Sequence, residues 1–230
     1  MRLDRFLNKQ LELSRQDVQR LLLQGQVRVD GQPVRDGRLE VDAFSRIEHA
    51  GALLQDGQPR RYLMLHKPAG CVSATQDAQH RTVLDLLPPA EREGLHIAGR
   101  LDGNTTGLLL LTNDGQWSRR LTLPASKLPK VYRVETAEPI GAAYVEAFAR
   151  GLYFAFEDIT TLPAHLELLD SHHARLTLVE GRYHQIKRMF GHFRNLVVRL
   201  HRESIGPIRL DPTLQPGEYR PLRAAEIACG

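Results

Sequence analysis

A chain of 230 residues, 42% of them apolar, can build one moderate domain and a smaller companion, each with its own core. Its net charge of +4 is a mild basic balance that neither requires nor excludes a nucleic-acid partner. Cys71 and Cys229 lie far apart without metal-ligand spacing, which argues against a disulfide framework or structural zinc and for a reducing compartment. Met1–Arg5 lacks the apolar core of a signal peptide and no apolar stretch has the length of a membrane span, so a cytoplasmic protein without a membrane is expected.

Leu3, Phe6, Leu7 and Leu11 recur at helical spacing. Ser14-Arg15-Gln16-Asp17 is a capping box for a second helix with Val18, Leu21 and Leu22 on its apolar face and Gly25 as its stop. Val27–Val34 then alternates around Asp30-Gly31, the pattern of a tight hairpin. Arg2, Arg5, Lys9, Arg15 and Arg20 fall in or near the helices and give this module a cationic surface, partly balanced by Asp4, Glu12 and Asp17. Residues 51–60 lose apolar periodicity and read as a linker between a module of residues 1–50 and a larger region of residues 61–230.

In the larger region, Tyr62–Leu65 predicts a strand, stopped by the turn His66–Gly70, where Lys67 is expected to be solvated. Thr82–Leu87 predicts a helical turn. The polar turn holding Arg100 and Asp102 runs into Leu108–Leu111, an apolar run that reads as a strand buried on both faces. Gln116–Leu121 predicts a helix. Lys130–Glu135 alternates as a strand, with Tyr132 and Val134 on one face and Val131, Arg133 and Glu135 on the other. Ile140, Tyr144, Val145 and Phe148 mark a helix ended by Gly151, and the segments before and after Asp170–His173 form an antiparallel hairpin with histidines in its turn. Ile186, Met189, Phe190 and Phe193 share a helical stripe, with Arg188 roughly opposite and Lys187 nearer its flank. Leu196–Leu200 and Ile205–Leu210 read as two closing strands, and Gly217–Leu222 leads into a short terminal helix. Strands and helices in no regular βαβ alternation give an α+β class with a mixed, mostly antiparallel sheet.

Gly99-Arg100-Leu101-Asp102 followed by Thr105-Thr106-Gly107-Leu108 resembles the signature loop of the pseudouridine synthases that modify ribosomal RNA. The Lys67-Pro68-x-Gly70 turn, the Lys130-x-Tyr132 strand and the Gly181–Met189 turn resemble further motifs of that family, in family order. Arg2–Leu7, Ser14-Arg15 and Gly25–Gly31 resemble the S4 RNA-binding domain, so the likeness spans essentially the whole chain. One departure is Asn104, where the family loop usually has a second Asp.

The resemblance implies an S4-like module followed by a synthase domain. Asp102 would be the catalytic carboxylate, Lys187 rather than Arg188 its cationic partner, and Tyr132 the ring stacked on the target uracil. Arg100 would fill the space of the flipped base or bind a phosphate, and Arg188 would add support. The S4-like cations Arg2, Arg5, Lys9, Arg15 and Arg20 would contact RNA phosphates. Isomerising uridine involves no redox change and no phosphate energy, so no cofactor or metal is expected. Asp114–Ser118, Glu180–Gln185 and Leu200–Glu203 resemble the small-subunit branch of the family. They point to 16S ribosomal RNA, or the assembling small subunit, as partner, to uridine 516 as target, and to a monomer. The alternatives are a large-subunit synthase of the same chemistry and a non-catalytic RNA-binding assembly factor. A glycoside hydrolase would need paired carboxylates, and Asp102 has no acidic partner in the other motifs.

Overall fold

A computed structural model describes residues 1–229; Gly230, the last residue of the larger region, lies outside the described residues. The chain forms two compact units, Met1–Arg60 and a second that begins at Arg61.

The first unit contains helices α1 (Leu3–Leu11) and α2 (Arg15–Leu23) and strands β1 (Val27–Val29), β2 (Gln32–Pro33), β3 (Ile47–His49) and β4 (Ala52–Gln55). Ser14 Oγ accepts from the Asp17 amide at 3.2 Å and donates to its carboxylate at 2.6 Å, capping α2. Asp30 and Gly31 both have positive φ (51° and 78°), which lets a two-residue turn follow the strand twist between β1 and β2. Leu3, Leu7, Val18 and Leu22 pack with Val27 and Ile47, closing the helices onto the antiparallel sheet. β4 falls inside the stretch expected as a linker. It pairs with β3 as a fourth strand, and only the residues after Gln55 lack regular structure.

The second unit contains β5 (Tyr62–Lys67), α3 (Pro89–Arg92), β6 (His96–Ala98), β7 (Thr106–Thr112), α4 (Gly115–Thr122), β8 (Lys130–Thr136), α5 (Ala142–Arg150), β9 (Tyr153–Phe154), β10 (Ile159–Thr160), β11 (His165–Leu168), β12 (His173–Leu178), α6 (Gln185–Gly191), β13 (Val197–Ile205), β14 (Ile208–Arg209), β15 (Tyr219–Pro221) and α7 (Ala224–Ile227). Its main sheet has the order β11-β12-β8-β13-β7-β5-β15, with β6 and β14 attached to β7 and β13. Among the described residues its strand pairs are antiparallel except β7 with β13. The fold is α+β with a mixed, mostly antiparallel sheet, as expected.

Leu108–Leu111 is fully buried because the sheet has a core on each face. Leu109 and Leu111 join Phe148 of α5 and Phe190 of α6, while Leu108 and Leu110 join Trp117 of α4 and Ile205. The two closing strands expected from sequence are instead one long strand, β13, and a short return, β14. Arg202 and Ser204 are buried along β13 together with Leu200 and Ile205, so its buried residues include polar ones where alternation looks for apolar residues.

Candidate active site

The turn between β6 and β7 carries Asp102 and is fixed from three sides. Asp102 O accepts from the Thr105 amide at 3.0 Å, closing the turn. The Ser73 hydroxyl meets both backbone groups of Leu101, donating to its carbonyl at 2.7 Å and accepting from its amide at 3.1 Å. Lys67 is not solvated: at the end of β5 it is fully buried, and its ammonium donates to the carbonyls of Gly103 (2.9 Å), Thr105 (2.9 Å) and Pro68 (3.0 Å). Three acceptors match its three protons and offset the loss of water. Burial pushes its pKa below the usual lysine range, against the opposing pull of Cys71 and Asp102.

The opposite wall is the turn from β12 into α6. Glu180, itself buried, accepts from the Gln185 amide group at 2.7 Å, from Arg182 Nε at 3.0 Å and from the Leu162 amide at 2.9 Å. Gln185 Oε1 in turn accepts from the Arg182 amide at 3.0 Å. This knot forces the chain through a left-handed residue, His184 (φ 48°), into α6. Lys187, one turn along, places Nζ 3.4 Å from Asp102 Oδ2, and His184 Nε2 lies 3.5 Å from the same oxygen. About a third of the Asp102 side chain stays exposed (31%), so water and ligand can reach it.

Tyr132 on β8 and Arg202 on β13 complete a cavity of about 590 Å³ that Asp102, Lys187, Arg100 and Lys130 also line. Arg100 is exposed on its border, Tyr132 is largely buried, and burial, reinforced by Arg202, lowers the Lys130 pKa. Asn104, at the position of the absent second carboxylate, is exposed. Asp102, Lys187, Tyr132 and Arg100 thus meet in one place. Arg188 does not join them. Its guanidinium lies 3.7 Å from the Phe154 ring centroid and pairs with Glu157 at 2.6 Å, anchoring the β9–β10 hairpin to α6. The residue turned about 100° on the wheel from Lys187 faces another neighbour. Sequence reading missed His184, Lys130 and Arg202. All three lay within recognised segments, but the branch likeness of Leu200–Glu203 gave Arg202 no role in the site. No group of three or more His, Cys, Asp or Glu side chains among the described residues is placed to hold a metal ion.

In the first unit a groove of about 760 Å³ is lined by Arg2, Arg5 and Arg15 together with Arg35 and Arg38, which sequence reading did not select. Lys9 and Arg20 lie outside its lining. Arg2 pairs with Asp4, while Arg20 bonds Asp17 at 3.2 Å.

A family model described as RNA pseudouridylate synthase matches residues 61–192, and a model of the S4 domain matches residues 1–47. The chain belongs to the RNA pseudouridylate synthase family. Among its relatives, the ribosomal small subunit pseudouridine synthase A of Pseudomonas aeruginosa is 66% identical over 227 residues, covering 99% of each chain. The proteins of the same name from Vibrio cholerae and Escherichia coli are 47% and 46% identical over 228 residues, covering 99% of this chain and 98% and 99% of theirs. A crystal structure of a pseudouridylate synthase, 41% identical, superposes with a TM-score of 0.73 and covers 100% of this chain and 99% of its own. The fold of this synthase is therefore the family's along its whole length.

Proposed function

We propose that this synthase converts one uridine of 16S ribosomal RNA, uridine 516, to pseudouridine, acting as a cytoplasmic monomer on folded RNA or an assembling small subunit. The observation that carries the chemistry is the placement of the Lys187 ammonium 3.4 Å from the Asp102 carboxylate, in a cavity walled by Tyr132. The small-subunit target rests on the relatives that share two thirds to nearly half of the sequence.

The reaction breaks the N1–C1′ bond, keeps and turns the freed uracil, and forms a C5–C1′ bond, while the C5 hydrogen is lost and N1 gains a proton. Asp102 supplies the carboxylate, as nucleophile at ribose or pyrimidine or as base at the sugar. In each route it must be ionised once RNA has displaced water from the cavity. Lys187 and His184 are within reach of the same oxygen to hold that charge. The target leaves its stack to reach Asp102. Tyr132 offers the detached uracil a flat wall on which rotation breaks no directional bond. Arg100, exposed beside the cavity, takes the vacated stack position or a flanking phosphate. The groove with Arg2, Arg5 and Arg15 contributes phosphate contacts, and Lys9 and Arg20 add charge outside it.

The test is to delete the protein and map pseudouridine in both ribosomal RNAs, then restore either the natural chain or Asp102→Asn. Loss at uridine 516 that only the natural chain repairs is expected. Loss confined to a large-subunit position would overturn the target, and repair by Asp102→Asn would overturn the role of Asp102.

A further inference from the structure

Arg202 is almost fully buried (1% exposed), and among the described residues no carboxylate lies within ion-pairing distance of it. Its guanidinium spends its donors on backbone carbonyls: Nε on Leu108 at 2.8 Å, Nη2 on Gly99 at 2.8 Å and Nη1 on Arg100 at 3.5 Å. Gly99 and Arg100 enter the Asp102 turn, and Leu108 leaves it. The backbone of the same residue also registers with Gly107 of β7 on one side and with Tyr132 of β8 on the other. A Cβ on Gly107 would collide with the Arg202 carbonyl and amide, so the two strands meet more closely than side chains ordinarily permit.

One residue therefore touches both ends of the loop that carries the carboxylate and the strand that carries the aromatic wall. Burying a guanidinium among neutral acceptors is a poor route to stability, because desolvation is expensive and an apolar side chain of similar volume fills space without it. What a planar fork provides is geometry: several donors fixed relative to one another. We infer that Arg202 is a positioning residue for the isomerisation, setting the distance and angle between Asp102 and Tyr132 by gripping the Asp102 loop from β13. The inference rests on the proposed function for its kinetic readout and on geometry alone for its structural one.

Arg202→Lys keeps the charge and removes the fork, and it is the informative variant. With a 16S fragment, its single-turnover rate is expected to fall about a hundredfold, as an ångström-scale misplacement does, while RNA affinity stays within about threefold. Amide exchange at Leu101 and Thr105 should quicken, a readout independent of turnover. Ile208→Ala, in the apolar cluster away from the cavity, supplies a variant that loses stability without touching the loop. At a temperature where both variants are folded, it should keep its rate and its loop protection. Should Arg202→Lys fail to fold, Gly99→Ala takes its place. It strains a residue at φ +88° that Arg202 grips, with room for the new methyl, and should show the same loss of rate with retained binding.

Unchanged rate and loop protection in Arg202→Lys, or full turnover in Gly99→Ala where Arg202→Lys is unfolded, overturns the inference. So does an equal loss in Ile208→Ala. Absence of pseudouridine formation by the natural chain would instead overturn the proposed function, and loop exchange would still decide the role of Arg202.

Discussion

Lys187→Met separates stability from catalysis. In the free protein the Lys187 and Asp102 side chains are 38% and 31% exposed, with charges 3.4 Å apart. A pair this exposed contributes about 0.2–1 kcal/mol, because water screens it and two side chains must be held. When RNA covers the cavity, the same separation at an effective dielectric near 20 corresponds to about 5 kcal/mol. The difference, about 4 kcal/mol, is realised only in the complex, where it acts on the charge of Asp102. At about 1.4 kcal/mol per decade it amounts to about a thousandfold in rate. Lys187→Met should therefore leave the melting temperature nearly unchanged, weaken RNA binding only slightly and cut turnover by about three orders of magnitude. Lys187→Arg should recover part of the loss.

The assay is single-turnover release of tritium from C5-labelled uridine in a 16S fragment, since C5 loses its hydrogen as the new carbon–carbon bond forms. Thermal unfolding and filter binding run alongside. Near-normal tritium release in Lys187→Met refutes the pairing. A collapse of the melting temperature refutes the claim that the pair is weak before RNA arrives.

Lys67→Met leaves three buried carbonyls without their donor, at about 1–3 kcal/mol for each group that finds no substitute. A net loss of about 3 kcal/mol should lower the melting temperature by roughly 6–12 °C in calorimetry. Gly107→Ala drives a methyl into the Arg202 backbone and should abolish soluble expression or activity, whereas Gly115→Ala, with open space around it, should change neither. Burial, then the neighbouring His66, pushes the His201 pKa below its usual 6.5, with Glu203 opposing and Arg133 adding to the shift. The unfolded chain then binds the proton more readily. The stability due to neutral His201 is complete above about pH 6.5 and is lost as pH falls through the lower folded value. His201→Gln should flatten the decline in melting temperature between about pH 7.5 and 5.5, and an unaltered slope would assign the decline to other groups.

What the sequence made legible was what chemistry repeats locally. Leu108–Leu111 has no polar alternation because both of its faces are packed, and that single fact identified the strand behind the Asp102 turn. Tyr132 and Val134 fell on the buried face by the two-residue period of a strand. The helical wheel separated Lys187 from Arg188, and the structure turns the first to Asp102 and the second to Glu157. Lys67 and Arg202 were not legible. A buried cation normally advertises itself by an acid at matching spacing, whereas the acceptors here are main-chain carbonyls, and all but the adjacent Pro68 carbonyl are 36 to 103 residues away. The β9–β10 hairpin went unread for a related reason: two-residue strands leave no period, and Arg188, which ties the hairpin down, was expected to support the active site.

Lys67 and Arg202 also differ electrostatically from the cations that ring the site. Glu180 largely neutralises Arg182, and Lys187 meets Asp102 through a solvent-reachable gap. The two buried cations have no carboxylate within bonding distance among the described residues, and carbonyl dipoles satisfy their donors without cancelling their charge. Two positive charges therefore stand behind the Asp102 loop, where entering RNA cannot displace them and salt screens them least. A carboxylate carried by such a loop has two layers of support. The inner layer is fixed before substrate arrives, and the outer one, Lys187, becomes strong only when substrate closes over it. The fixed layer costs desolvation in every folded molecule, and the strands that bear it, β5 and β13, are the neighbours of β7 in the sheet. That placement explains why the site lies at the one parallel pairing among the described strands. Because β13 runs alongside β7 in the same direction, His201 and Arg202 align with Thr106 and Gly107, the residues at which the Asp102 loop enters β7.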